Sequence, residues 1–132
     1  MPKAEGLLLP FDDQSHIRTD ILESIPYKGE KQTVYLDYPE FSCVCPFSGL
    51  PDIAHVHVSY VPGDKIIELK SLKYYYISFR NVGIYQEEMT QRIYRDLKTV
   101  LQPETLYVKT VYNVRGGIEA CCEVGNKIKE VE

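Results

Sequence analysis

The chain lacks tryptophan, lacks a Gly-x-Gly-x-x-Gly sequence, and lacks any apolar run near the ~18 residues that a membrane-spanning helix needs. The first absence leaves eleven tyrosines and four phenylalanines as the aromatic stock. The second excludes dinucleotide binding through a Rossmann crevice, so any nicotinamide cofactor has to bind outside that fold. The third excludes a helical membrane span. The N-terminus has only Leu7, Leu8 and Leu9 as an apolar stretch and no signal-peptide core, so a cytoplasmic protein without disulfides is expected. There is no excess of positive charge: 15 basic against 19 acidic residues give a formal charge of −4, the wrong sign for gripping a phosphate backbone. Direct nucleic-acid binding is not expected. Internal repeats and low-complexity tracts are also missing.

What is present reads as one soluble domain. A chain of 132 residues, 44% apolar and 26% charged, is long enough to bury about two thirds of its unfolded surface. Residues 1–31 carry Pro2, Pro10 and Pro26 and show no sustained period, and they read as an N-terminal arm of loops ahead of a folded unit over 32–132. Residues 33–41 and 53–61 are rich in strand formers, the second alternating through Ala54, Val56, Val58 and Tyr60. After Pro62-Gly63-Asp64, residues 68–80 place Leu69, Leu72, Tyr76 and Phe79 at helical spacing. A longer helix over 84–101 has Met89, Ile93, Tyr94, Leu97, Val100 and Leu101 on its apolar side and stops at Gln102-Pro103. Strands over 105–114 and 118–124 flank a turn at Arg115-Gly116-Gly117. The order β-β-α-α-β-β is an α+β pattern, with an antiparallel sheet and helices on one face. Such a sheet has two open edges, and association of copies into a barrel is one way to cover them.

The four cysteines stand as Cys43-x-Cys45 and Cys121-Cys122, which is not the spacing of structural zinc pairs. His55 and His57 face the same side of a strand. A mixed Cys/His site stays open there, against the preferred reading of a polar strand face for the histidines and small buried thiols for the cysteine pair. Cys45 opens a loop punctuated by Pro46, Gly49, Pro51 and Asp52, which can hold its sulfur out of the core. A thiolate there is a nucleophile, and Asp52 can donate and accept a proton: a pairing suited to addition at an electrophilic carbon and protonation of the resulting anion. Glu87 and Glu88 stand in the first turn of the second helix, where the macrodipole favours carboxylates. A carboxylate there can also accept two hydrogen bonds from a guanine-like N–H edge. Lys70 and Lys73 share a helical face, with Ser71 between them, and two such ammoniums can hold dinucleotide phosphates.

Together, Cys45-Pro46-Phe47-Ser48-Gly49-Leu50-Pro51-Asp52, Glu68-Leu69-Lys70-Ser71-Leu72-Lys73-Tyr74-Tyr75, Ser78-Phe79-Arg80-Asn81, Glu87 and Arg115-Gly116-Gly117 resemble the short, single-domain NADPH-dependent 7-cyano-7-deazaguanine reductases of the tunnelling-fold superfamily, over roughly residues 41–119. The resemblance implies a homo-oligomeric barrel, a decamer of stacked pentamers, with active sites at subunit interfaces. It implies that Cys45 attacks the nitrile carbon to give a thioimide with Asp52 managing the proton, and that two NADPH reduce the adduct to the aminomethyl product of queuosine biosynthesis. It further implies Glu87, Gln86, Glu68 and Ser71 as substrate contacts and Lys70, Ser71, Lys73 and Arg115 as cofactor contacts, with no metal. Two positions depart from the family pattern. Gln86 stands where a histidine is common and cannot carry a proton, and Met89 stands where some members have a cysteine that protects the nucleophile as a disulfide, a part left to Cys43. The alternatives are an amidinotransferase acting on the same nitrile in tRNA, which needs no Lys70/Lys73 motif, and a non-catalytic barrel that binds a purine or pterin.

Overall fold

The computed structural model describes residues 2–128. Met1 and residues 129–132, the outer ends of the expected arm and domain, lie outside the described residues. In chain order the elements are β1 (Ser24–Pro26), β2 (Val34–Val44), β3 (Pro51–Val61), β4 (Lys65–Ile67), α1 (Leu69–Ile77), α2 (Gln86–Leu101), β5 (Thr105–Tyr112) and β6 (Cys121–Gly125). The main sheet has the order β2-β3-β5-β6 with every neighbour antiparallel, and β1 pairs with β4 in a separate ribbon. No described helix is long and apolar enough to cross a membrane.

Strand alternation decides what the sheet covers. Phe41, Cys43, Ala54, Val56, Val58, Tyr60, Leu106, Val108 and Tyr112 are buried on the helix side. Against them pack Met89, Ile93, Leu97 and Leu101 of α2, the spacing read from the sequence. Each such side chain contributes roughly 2 kcal/mol of apolar burial. The strand β2 keeps its apolar side inward only because its register shifts between Tyr38 and Phe41. Tyr38 and Phe41 oppose Val56 and Ala54, so β2 spans one more residue than β3 at this point, and the bulge absorbs Pro39, which has no N–H for the ladder. α2 ends at Gln102 in the left-handed region (φ 47°), with Pro103 behind it.

Several expectations need correction. The arm is more than loops: it forms β1 and two 3-10 turns, and it buries Ile17 and Leu22 in the core. Aperiodic segments of this kind give no amphipathic signal, because their anchors are single residues and backbone hydrogen bonds. β4 also escaped the sequence pattern, being a three-residue edge that exists only through pairing with the arm. α1 stops at Ile77 rather than Arg80, and Tyr75 takes the inward position expected for Leu69, which is 60% exposed. Cys121 is exposed and Cys122 half-buried, because β6 is an edge strand; they are not the buried pair expected.

One polar cluster joins the arm to both helices. Asp96 Oδ2 accepts from Tyr75 Oη at 2.6 Å, from Arg92 Nε at 2.9 Å and from Thr19 Oγ1 at 3.0 Å. Tyr75 is fully buried, so loss of this carboxylate strands its hydroxyl without a partner. Asp96→Ala is expected to lower the unfolding free energy by about 2–4 kcal/mol in urea titrations, and Asp96→Asn by less, since its amide oxygen still accepts.

Candidate active site

The site lies at the end of the β2–β3 ladder. Cys43 and Asp52 are direct cross-strand partners, and both belong to the helix-facing side of their strands. Cys45 is the next position of the same parity, just past β2. The segment after α1 completes the wall: Val44 N–H donates to Val82 O at 3.1 Å and Ile84 N–H to Val44 O at 3.2 Å, laying residues 82–84 beside the end of β2. That bridge delivers Tyr85, the N-cap position of α2, and then Gln86 and Glu87, next to the cysteine loop. The result is a cavity of about 290 Å³ lined by Cys45, Pro46, Asp52, Tyr85, Gln86, Glu87 and Arg115.

The loop over residues 45–50 is closed by Cys45 N–H to Leu50 O and Gly49 N–H to Cys45 O, both at 2.9 Å. Gly49 has φ +74°, and a Cβ placed there would stand 2.3 Å from Leu9 O. The arm therefore clamps the loop from outside, and Leu9 N–H donates to Ser48 O at 3.1 Å. Inside the loop Phe47 N–H points at Cys45 Sγ at 3.4 Å. Burial opposes ionisation of this thiol, but the donors of Ser48 and Phe47 outweigh it, and the pKa of Cys45 lies below its ordinary value of 9.0 despite the nearby Asp52 charge. Cys43 has the opposite setting. Burial pushes its thiol up to about 12, and its sulfur shares a 3.8 Å hydrogen bond with Tyr112 Oη.

Asp52 is buried, and Arg115 Nη1 donates to its Oδ1. Arg115 is presented by a two-residue turn. Arg115 and Ile118 exchange backbone hydrogen bonds at 3.0 Å around Gly116 and Gly117, whose φ angles of 58° and 82° only glycine takes without strain.

Cys45, Asp52, Gln86, Glu87 and Arg115 are thus gathered in one place, with Arg115 on the carboxylate in this structure. The residues of α1 are not there. Glu68 caps the helix, accepting from Lys70 N–H at 3.0 Å and Ser71 N–H at 2.6 Å. Ser71 Oγ donates to Glu68 O at 2.7 Å and accepts from Glu23 N–H at 3.1 Å, tying the arm down. Glu68, Lys70 and Ser71 line a cleft of about 520 Å³ with Arg18 and Tyr74, and Lys73 lines another with Tyr35, Tyr38 and Tyr76. That second cleft sits beside Tyr35 and Tyr38 near the start of β2, and Cys45 follows its last residue, roughly 23–33 Å along the strand at ~3.3 Å per residue. Sequence reasoning missed Tyr85 and Arg18. An aromatic directly before Gln86-Glu87 was the available signal for Tyr85. For Arg18 there was none, since it lies in the aperiodic arm.

A family described as "QueF-like protein" matches residues 51–130. NADPH-dependent 7-cyano-7-deazaguanine reductases from Thermotoga petrophila and Thermotoga maritima are each 54% identical over 127 residues, covering 96% of this chain and 93% of theirs. The chain belongs to the QueF family. A further relative of the same name, from Caldicellulosiruptor bescii, is 47% identical over 104 residues, covering 77% of this chain and 79% of its own. A solved structure of the archaeosine synthase QueF-Like in its apo form superposes with TM-score 0.61 at 22% identity, covering 75% of this chain and 95% of that one. This likeness extends the QueF fold assignment to three dimensions, in agreement with the α+β, antiparallel reading of the sequence.

The two thiols near this QueF-type cavity are expected to separate cleanly in alkylation. Thiolate is the reacting form, so iodoacetamide labelling of Cys45, followed by mass spectrometry, should rise through a midpoint below pH 9, while Cys43 stays unlabelled in the folded protein up to pH 10.

Proposed function

We propose that the protein is an NADPH-dependent nitrile reductase of the cytoplasm that converts 7-cyano-7-deazaguanine to 7-aminomethyl-7-deazaguanine in queuosine biosynthesis. The observation that carries this reading is the juxtaposition of a thiol with lowered pKa, a buried carboxylate and a helix-start glutamate around one base-sized cavity. The name shared by relatives 54% identical over nearly the whole chain supports it.

In this reading the Cys45 thiolate adds to the nitrile carbon. A C–S bond forms, one π pair of the nitrile moves to nitrogen, and that nitrogen takes a proton to give the thioimide. Asp52 handles this proton. Arg115 holds Oδ1, which leaves Oδ2 for proton transfer and fixes the direction the carboxyl faces. Glu87 accepts the N–H edge of the base, Gln86 adds an amide contact, and the Tyr85 ring offers a stacking face. Gln86 carries no proton and Glu87 is engaged by the base edge, so proton transfer at the nitrile nitrogen falls to Asp52.

The cations of α1 fit a phosphate-bearing cofactor. Neither Lys70 nor Lys73 takes part in an ion pair among the described residues, so both ammoniums are available to the phosphates of NADPH. NADPH supplies hydride, and nitrile to amine is a four-electron change, hence two equivalents per turnover. Since these lysines are remote from Cys45 in one chain, a neighbouring copy supplies them to each site. Support comes from the outer edges of β6 and of β2 before Val44, unpaired among the described residues, and from the exposed Phe47, Leu50, Ile53, Val114 and Ile118 around the cavity end. A decamer of stacked pentamers is the assembly proposed.

NADPH absorbance with the free nitrile base tests the reading. The parent should consume two NADPH per base, and Cys45→Ala should consume none while keeping the parent's assembly; an active alanine variant, or amidine formed on tRNA without NADPH loss, would contradict it. Glu87→Ala should raise KM at least tenfold yet cost only about 0.5–1 kcal/mol of stability, the worth of a first-turn carboxylate.

A further inference from the structure

The opposite face of the sheet carries a second cluster of reactive side chains. On β3, Asp52 and Ala54 face the helices, and His55 and His57 alternate to the other side. Asp37 of β2 is the direct cross-strand partner of His57, and His57 Nδ1 lies 2.7 Å from Asp37 Oδ1. The rings of His55 and His57 stack 4.0 Å apart, 11° from parallel. One ligand atom from each of Asp37, His55 and His57 falls within 4.8 Å of the others. His55 Nε2 is shut off from solvent and has no hydrogen-bond partner. A buried imidazole nitrogen without a partner carries a desolvation cost that a ligand on it would remove.

We propose that Asp37, His55 and His57 form a binding site for one divalent transition-metal ion of the Zn²⁺ or Ni²⁺ class. Two imidazoles and a carboxylate are the borderline donor set such ions take, and a hard Mg²⁺ or Ca²⁺ ion prefers an all-oxygen shell. Three ligands leave coordination positions open, and Asp37 and His57 border a cavity of about 700 Å³ in which water can fill them. Ligands sharing one ion sit roughly 3–3.4 Å apart, so Asp37 and His57, 2.7 Å apart, open slightly while any separation as wide as 4.8 Å closes by about 1.5 Å, the two rings turning out of their stack until both nitrogens converge. Lys109 pairs with His57 across the β3–β5 ladder and lines the same cavity, as does Lys127, and these two charges oppose a cation there. Their long stems let both ammoniums withdraw into solvent. The cysteines play no part: Cys43 faces the helices, and Cys121 on β6 stands two strands from the histidines of β3 and three from Asp37 of β2.

Titration calorimetry of the full-length, chelator-treated protein with ZnCl₂ and NiCl₂ tests this. The parent should bind one ion per chain. His55→Gln, His57→Gln and Asp37→Asn should each weaken binding at least tenfold with circular dichroism unchanged, and the two histidine variants should consume NADPH as the parent does. Asp37 is exposed, so its variant keeps the test valid even if a histidine variant fails to fold. The double variant Cys121→Ser, Cys122→Ser should bind as the parent does. Absence of saturable binding up to millimolar metal, binding that survives both the Asp37 and His57 substitutions, or binding lost with the cysteines would overturn the assignment.

Discussion

The antiparallel pairing of β2 with β3 decides which way Cys43, Cys45 and Asp52, and Asp37, His55 and His57 opposite them, face. Cys43 and Cys45 follow one parity on and just past β2, Asp52 follows the matching parity on β3, and the bulge after Tyr38 is what brings the two strands into that agreement. A slip of β2 by one residue against β3 would send its thiols to the face now held by Asp37, His55 and His57, away from Asp52, which β5 holds in place through β3. It would also expose Phe41, so the burial that stabilises the fold is the same constraint that keeps Cys43 and Cys45 on the side of Asp52.

Around that fixed ladder end, local hydrogen bonding sets the reactivity. Two cysteines separated by a single residue have thiols displaced in opposite directions: burial raises one against the pull of its hydrogen bond with Tyr112, and the other is lowered by the donors of its own turn, which outweigh its burial. The turn keeps its shape because Gly49 takes a left-handed conformation and Leu9 presses against it. The N-terminal segment therefore supports the candidate site at one remove. It clamps the Cys45 loop at Leu9 and caps the segment before α2 through Asp12, whose backbone pairs with Asn81 and Gly83. It also anchors α1 through Ser71.

How far the sequence disclosed this depends on the kind of force involved. α2 was legible, because four inward residues at helical spacing leave little choice of face, and so was the Arg115 turn, because consecutive glycines permit what other residues resist. The pairing of Cys45 with Asp52 was read from their shared loop, Gln86 and Glu87 joined them through family resemblance, and Arg115 was expected on the cofactor rather than on Asp52; Gln86 and Glu87 arrive through Val44 pairing with residues 82–84, a contact between two backbones with no signature in side-chain pattern. The arm stayed hidden for the same reason. Glu68 and Ser71 show the reverse case, in which a motif stands out in the sequence while the described chain engages its polar atoms in capping and tethering. The face bearing His55 and His57 was visible as an alternation, but the third ligand, Asp37, became apparent only with the β2–β3 register.

The most direct measurement is a crystal structure of the protein soaked with 7-cyano-7-deazaguanine in the absence of NADPH. The account predicts continuous density from Cys45 Sγ to the former nitrile carbon, with the base edge on Glu87 and the new N–H directed at Asp52. A base bound elsewhere, or one lying in this cavity at van der Waals distance from a sulfur that has not reacted, would contradict it.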